Sequence, residues 1–191
     1  MVRDPRCVAA LGARAPGRRG ADPPRAAPAT TAFHIRFATA DDIAVLLGLI
    51  RELAAYEGAA HEVVATEADL RRHGFGEEPR FEALLADLDG KPAGFALFFP
   101  NFSTWLGRPG LYLEDLYVAE WARGRGVGRR LVARLAAIAL ERGWGRLELS
   151  VLDWNPARGF YDRLGFVRLA EWLPHRAAGD ALSRLVGLDE D

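Results

Sequence analysis

The spacing of apolar residues changes several times along this chain, and each change marks an expected element. Phe33–Ala38 reads as a short strand. Thr39 can cap a helix running to about Glu57, because Ile43, Leu46, Leu47, Ile50, Leu53 and Tyr56 then share one face. Thr66 caps a shorter helix that stops at Gly74. Phe81–Asp87 and Pro92–Phe99 read as strands joined at Asp89-Gly90, a good hairpin turn. Asn101–Gly110 reads as a loop, Leu111–Val118 as a strand, and Val127–Arg142 as a helix with Leu131, Leu135, Ile138 and Ala139 in an apolar stripe. Leu147, Leu149 and Val151 alternate along a further strand, followed by a short helix around Pro156–Arg163. A strand near Phe166–Leu169, a last edge strand over Trp172–Ala177 and a short helix over Asp180–Val186 complete the reading. This order predicts an α/β (α+β) fold, a mixed sheet with helices packed on it, in one domain over residues 33–191.

Residues 1–32 differ from the rest. They hold five prolines, six arginines, nine alanines and two acids, with almost no large apolar residues. Such a segment cannot bury enough surface to offset its chain entropy, so a disordered tail is expected there. Its prolines would interrupt an amphipathic helix and it has no serine, which argues against a transit peptide.

The composition removes several function classes. A formal net charge of −1 makes no global electrostatic case for nucleic acid. The longest apolar runs fall far below the roughly 20 residues that span a bilayer, so no membrane partner is expected and the location is read as cytoplasmic. Cys7 is the only cysteine, so no intrachain disulfide forms. His34, His61, His73 and His175 lack metal-ligand spacing, and no metal is expected.

Candidate chemistry concentrates between the strand at 111–118 and the helix at 127. Arg123-Gly124-Arg125-Gly126-Val127-Gly128 turns the chain with three glycines in five residues. The helix that follows begins with unpaired N–H groups at its positive end, so this turn can hold an anion such as a phosphate. Arg123, Arg125, Arg129 and Arg130 add charge there. The spacing does not fit the G-x-G-x-x-G of a dinucleotide loop, and the only lysine, Lys91, lies elsewhere, which excludes a Walker A loop. Upstream, Leu111 and Leu113 sit at odd positions but Leu116 and Val118 at even ones. Alternation slips by one at Glu114-Asp115, as a β-bulge would make it, and bulges favour active sites.

The glycine turn resembles the R-x-x-G-x-G signature of the GNAT N-acetyltransferases, with Arg123, Gly126 and Gly128 in the signature positions. The resemblance extends to Leu53-Ala54-Ala55-Tyr56-Glu57, Gly74-Phe75-Gly76-Glu77, Phe102-Ser103-Thr104-Trp105, Tyr112-Leu113-Glu114-Asp115-Leu116-Tyr117-Val118 and Val151-Leu152-Asp153-Trp154-Asn155. Phe160-Tyr161 and Leu164-Gly165 follow in the same order. Together these are most similar to the diamine branch, the spermidine/spermine and thialysine acetyltransferases. The resemblance implies a mostly antiparallel central sheet with helices on both faces and a bulged, splayed central strand. It implies acetyl-CoA as co-substrate, a small-molecule amine as acceptor and a homodimer.

By the same resemblance, Leu116, Tyr117 and Val118 would lend backbone groups to the pantetheine and thioester. Arg123, Gly124, Arg125, Gly126, Val127, Gly128 and Arg129 would hold the pyrophosphate, and Asn155 would line the far side of the groove. Tyr161 is the implied acid and Glu114 a candidate base. Tyr56, Glu57, Trp105, Glu114 and Asp115 would bind the amine. The chemistry agrees with these roles. A phenol with a pKa near 10 can protonate a leaving thiolate at neutral pH without being spent beforehand, and Glu114 can collect the proton of the amine. One departure stands out: Asn155-Pro156-Ala157-Arg158-Gly159-Phe160-Tyr161 is one residue shorter than related segments, which on a helix is about 100° of rotation. That shortening also leaves room for a catalytically weak acyl-CoA-binding module. Other acceptors, a peptide N-terminus or an aminoglycoside, stay open from sequence.

Overall fold

The computed structural model describes residues 32–189. The tail expected at the N-terminus lies, up to residue 31, outside the described residues. The chain starts with β1 (Phe33–Phe37), then α1 (Ile43–Tyr56), entered through a 3₁₀ turn at Ala40–Asp42, then α2 (Glu67–Phe75). A meander of β2 (Glu82–Leu88), β3 (Lys91–Ser103) and β4 (Arg108–Val118) follows. Next come α3 (Val127–Glu141), β5 (Leu147–Leu149), α4 (Ala157–Arg163) and α5 (Asp180–Val186).

The five strands lie in chain order, antiparallel from β1 to β4 and parallel between β4 and β5. Both sheet faces are covered. On one, Leu131, Leu135 and Ile138 of α3 pack over Leu84, Phe98, Leu111 and Leu113. On the other, Ile43, Leu46 and Leu47 of α1 and Leu70 of α2 pack over Leu85, Phe95, Leu97 and Tyr117. Each such buried leucine or isoleucine contributes about 1.5–3 kcal/mol over an exposed one, so the two faces together fix β4 in place from both sides.

Local chemistry starts the helices where expected. The Thr39 amide and hydroxyl both donate to the Asp42 carboxylate, at 2.8 and 3.0 Å. Thr66 caps α2 by accepting from the Asp69 amide at 3.2 Å. That helix runs one residue past Gly74, to Phe75, and a Cβ at Gly74 would strike the Phe81 ring. Glycine there serves packing rather than termination.

Three expectations are corrected. Asn101–Gly110 is not a loop: β3 and β4 continue as a ladder, pairing Asn101 with Gly110 and Phe102 with Pro109, and only Thr104–Gly107 turns. Pro100, Pro109 and Gly110 read as breakers, yet the long hairpin tolerates them beside the Asn101 amide, which donates to Glu148 at 2.7 Å. Phe166–Leu169 and Trp172–Ala177 form no strands. Their apolar side chains find no core to alternate against: Val167 is 83% exposed and Trp172 68%. Pro174 also withholds a ladder donor.

Candidate active site

The parallel pairing of β4 with β5 lasts for three residues, from Leu111 with Leu147 to Leu113 with Leu149. Beyond Leu113 the edge of β4 facing β5 carries no ladder, and its polar backbone groups are open to a ligand. On its other edge β4 pairs with β3, but Leu113 lies opposite Phe98 and Asp115 opposite Leu97. Glu114 therefore has no partner residue; it is the extra residue of a β-bulge. The slip in alternation predicted at Glu114-Asp115 is thus located at Glu114.

The bulge turns Asp115 onto the α1 face, alongside Leu97 and Tyr117. Burial, reinforced by Glu114 and Glu57, pushes the Asp115 carboxyl up to about 6. Glu57 arrives as the C-cap of α1. Three carboxyls from two elements thus share one field, and a cation entering it relieves both the burial and the repulsion.

At the other end of the open edge, a 3₁₀ turn at Glu120–Ala122 leads into the glycine turn and α3. Gly124 and Gly126 have φ of +74° and +80°, a region side chains rarely adopt. Gly126 caps α3 and offers no side-chain acceptor. The first helical bond runs from the Arg130 amide to the Gly126 carbonyl at 3.1 Å, so the preceding amides are left for an anion. The Gly128 position faces Phe160 and Val118, each 3.5 Å from where a Cβ would sit.

Three of the four arginines turn to other partners. The Arg123 guanidinium lies over the Tyr56 ring, Arg125 reaches Asp89 at 3.4 Å, and Arg130 lies over Phe33. With these three turned elsewhere, what the turn offers an anion is chiefly backbone amides.

Asn155 is buried, and its Oδ1 accepts from the Ala157 amide at 2.9 Å, which fixes the start of α4. Tyr161 lies edge-on to Phe160 and Phe166, with ring centroids 5.1 and 5.5 Å away. Burial pushes its phenol up to about 12. Trp105 stands apart: it occupies the β3–β4 turn, 91% exposed. Six residues of β4, Arg108–Leu113, lie between that turn and Glu114, about 20 Å of extended strand. Sequence reasoning missed Glu52 and Trp154. Glu52 lies four residues before Tyr56, one turn along the same helix. Trp154 packs 6.5 Å from Tyr56 and so joins α1 to the segment before α4.

The open β4 edge, the bulge with its acidic residues and the uncapped start of α3 thus lie along one stretch of chain. Residues 49–166 match the Acetyltransferase (GNAT) family. The chain belongs to this family.

This GNAT acetyltransferase is 39% identical over 165 residues to a thialysine N-epsilon-acetyltransferase of Mus musculus, covering 80% of this chain and 96% of that one. It is 30% identical over 198 residues to an L-ornithine N5-acetyltransferase of Arabidopsis thaliana, covering 79% and 86%. Among solved structures it is similar to an integron cassette protein from the mobile metagenome of V. cholerae, with a TM-score of 0.68, 28% identity, and 81% and 97% coverage. These relatives support an N-acetyltransferase. Among the described residues of this GNAT chain no helix is long and apolar enough to cross a membrane, and no cluster of metal-ligating side chains is gathered.

Proposed function

We propose that this chain transfers the acetyl group of acetyl-CoA to the primary amine of a small cationic acceptor, either a polyamine or an aminoalkyl amino acid. The observation that carries this reading is the bulge at Glu114, which turns Asp115 onto the α1 face, within the field of Glu114 and of Glu57 at the end of α1. Three carboxyls at one place attract a cation and can take its proton.

The residues fit the cofactor. The uncapped start of α3 suits a pyrophosphate, and the unpaired edge at Leu116–Val118 suits an extended amide-bearing chain. When bound, acetyl-CoA supplies the acetyl thioester. Gly124–Arg129 hold the phosphates through backbone amides, and Leu116 and Val118 orient the chain leading to the thioester. Glu114, exposed on the bulge, removes the amine proton, while Asp115 and Glu57 keep the acceptor in place. Tyr161, whose burial keeps it protonated across the physiological range, supplies the proton that the departing sulfur needs.

The reading includes a homodimer. Val167, Leu169, Trp172 and Leu173 leave an apolar arm uncovered, and a second copy is its proposed cover. Trp105, remote along the strand from Glu114 in its own chain, lines an acceptor site only as part of such a pair.

The test is thiol release from acetyl-CoA by the purified protein, with putrescine, spermidine, L-ornithine, L-lysine and thialysine as acceptors. Turnover with at least one of them is expected. Acetyl-CoA binding without thiol release from any acceptor would favour a binding module instead.

A further inference from the structure

The cleft beside the open edge of β4 has two walls that part company after a short ladder. Where the β4–β5 pairing stops, at Leu113 and Leu149, the Tyr112 hydroxyl and the Ser150 hydroxyl still share a hydrogen bond of 2.9 Å. From there β4 runs on to Val118, while the chain after β5 leaves toward α4. On the α3 face the walls meet again through packed side chains. Phe160 of α4 and Val118 each lie 3.5 Å from where a Cβ on Gly128 would sit.

On the α1 face the link is aromatic. Tyr56 is the last residue of α1. The Arg123 guanidinium carbon lies 4.7 Å from its ring centroid, and the Trp154 ring lies 6.5 Å away at an interplanar angle of 46°. Arg123 belongs to the β4 wall: its Nε donates to the Val118 carbonyl at 3.1 Å, and its guanidinium carbon lies 5.8 Å from the Tyr117 ring centroid. Trp154 belongs to the opposite wall, next to Asn155, whose side chain fixes the start of α4. Arg123, Tyr56 and Trp154 thus make a chain of contacts from one wall to the other. A planar, permanently charged guanidinium suits such stacking. Tyr56 and Trp154 are 40% and 55% exposed, so this link can open without disturbing the core.

We propose that Tyr56 is a positioning residue that clasps the cofactor cleft, joining its two walls through Arg123 and Trp154 and holding Glu57 at its mouth. This role rests on the acetyl-CoA reading above and gives α1 a part in it. Glu57 follows Tyr56 as the C-cap of the helix, so the contact that closes the cleft also sets one carboxyl of the acidic field. Retention of the cofactor and seating of the acceptor then depend on the same ring. Exposed aromatic and cation–π contacts each amount to about a 2–10-fold factor, enough to slow release and too little to prevent exchange.

Stopped-flow displacement of a fluorescent CoA analogue by unlabelled CoA tests the clasp without turnover. Tyr56→Ala is expected to release the analogue about 5–50-fold faster, and Tyr56→Phe, which keeps the ring, to stay within about twofold of wild type. Trp154→Ala should speed release about 2–10-fold alone and add nothing in the Tyr56→Ala background, the non-additivity that a shared contact requires. Both substitutions are at part-exposed positions and should leave the melting temperature within about 2 °C. With the amine that turns over best, Tyr56→Ala should raise its KM by a larger factor than it lowers kcat, and Tyr56→Phe should restore both. An unchanged release rate in Tyr56→Ala would overturn the proposal, as would additive effects of Tyr56→Ala and Trp154→Ala. So would a Tyr56→Phe variant as fast as Tyr56→Ala, since the hydroxyl and not the ring would then matter. The expected release rates without thiol release from any acceptor would instead sink the transferase reading and leave the clasp assigned.

Discussion

Asp115 shows how one side chain can cost stability in return for a binding field. Its carboxyl is raised from 3.8 to about 6, so between those values the native chain holds more protons than the unfolded one. Stability therefore falls as pH rises through that window. Asp115→Asn should stabilise the protein at neutral pH by about 1–3 kcal/mol, and lose that advantage near pH 4, measured by urea denaturation at both values. The same variant should bind a cationic acceptor more weakly. Tyr161 makes the complementary test. Its ring packs between Phe160 and Phe166, and burial alone accounts for the shift of its phenol. Tyr161→Phe should keep its melting temperature and acetyl-CoA affinity while turnover drops by about 10²–10⁴. Equal turnover would mean that the shortened segment after Asn155 has moved the acid elsewhere.

Among the elements, the start of α3 separates two uses of glycine. Gly126 sits at φ +80°, so Gly126→Ala strains the backbone itself and should lower stability by about 1 kcal/mol. Gly128 has ordinary room for a Cβ, 3.5 Å from its nearest neighbours. Gly128→Ala should leave the melting temperature unchanged, so any loss of acetyl-CoA affinity by calorimetry reports on the ligand's approach. The elements also show what was legible in the sequence. Helices α1 and α3 could be read because their apolar stripes meet a sheet face that buries them. The bulge could be read because a slip in alternation moves whole side chains from one face to the other. The β3–β4 hairpin could not, since Pro100, Pro109 and Gly110 mask a ladder whose pairing is backbone-borne. The C-terminal strands failed for another reason: their apolar residues, Val167, Trp172 and Leu173 among them, meet nothing that buries them. Around the candidate site, the register slip at Glu114-Asp115 followed from the alternation, and Glu57 was singled out by its motif alone. The turning of Arg123 toward Tyr56 was not legible, because it depends on the distance between α1 and the β4–α3 connection.

For the molecule as a whole, the uncovered arm from Val167 to Leu173 carries the consequence for assembly. Sedimentation should find a dimer, and Trp172→Glu with Leu173→Glu should shift it to a monomer without lowering the helix signal. A monomeric wild type would remove the arm as an interface. The residue pairs flanking the bulge hold one more lesson. Leu113 with Phe98 and Asp115 with Leu97 are already in register on either side of Glu114. Excising Glu114 would make the two half-strands continuous, and Leu113, Asp115, Leu116 and Tyr117 would then alternate without interruption. A chain shortened by that single codon should fold and melt no lower than its parent, yet transfer no acetyl group. On this reading the ladder has no need of its 114th residue; only the proposed reaction does.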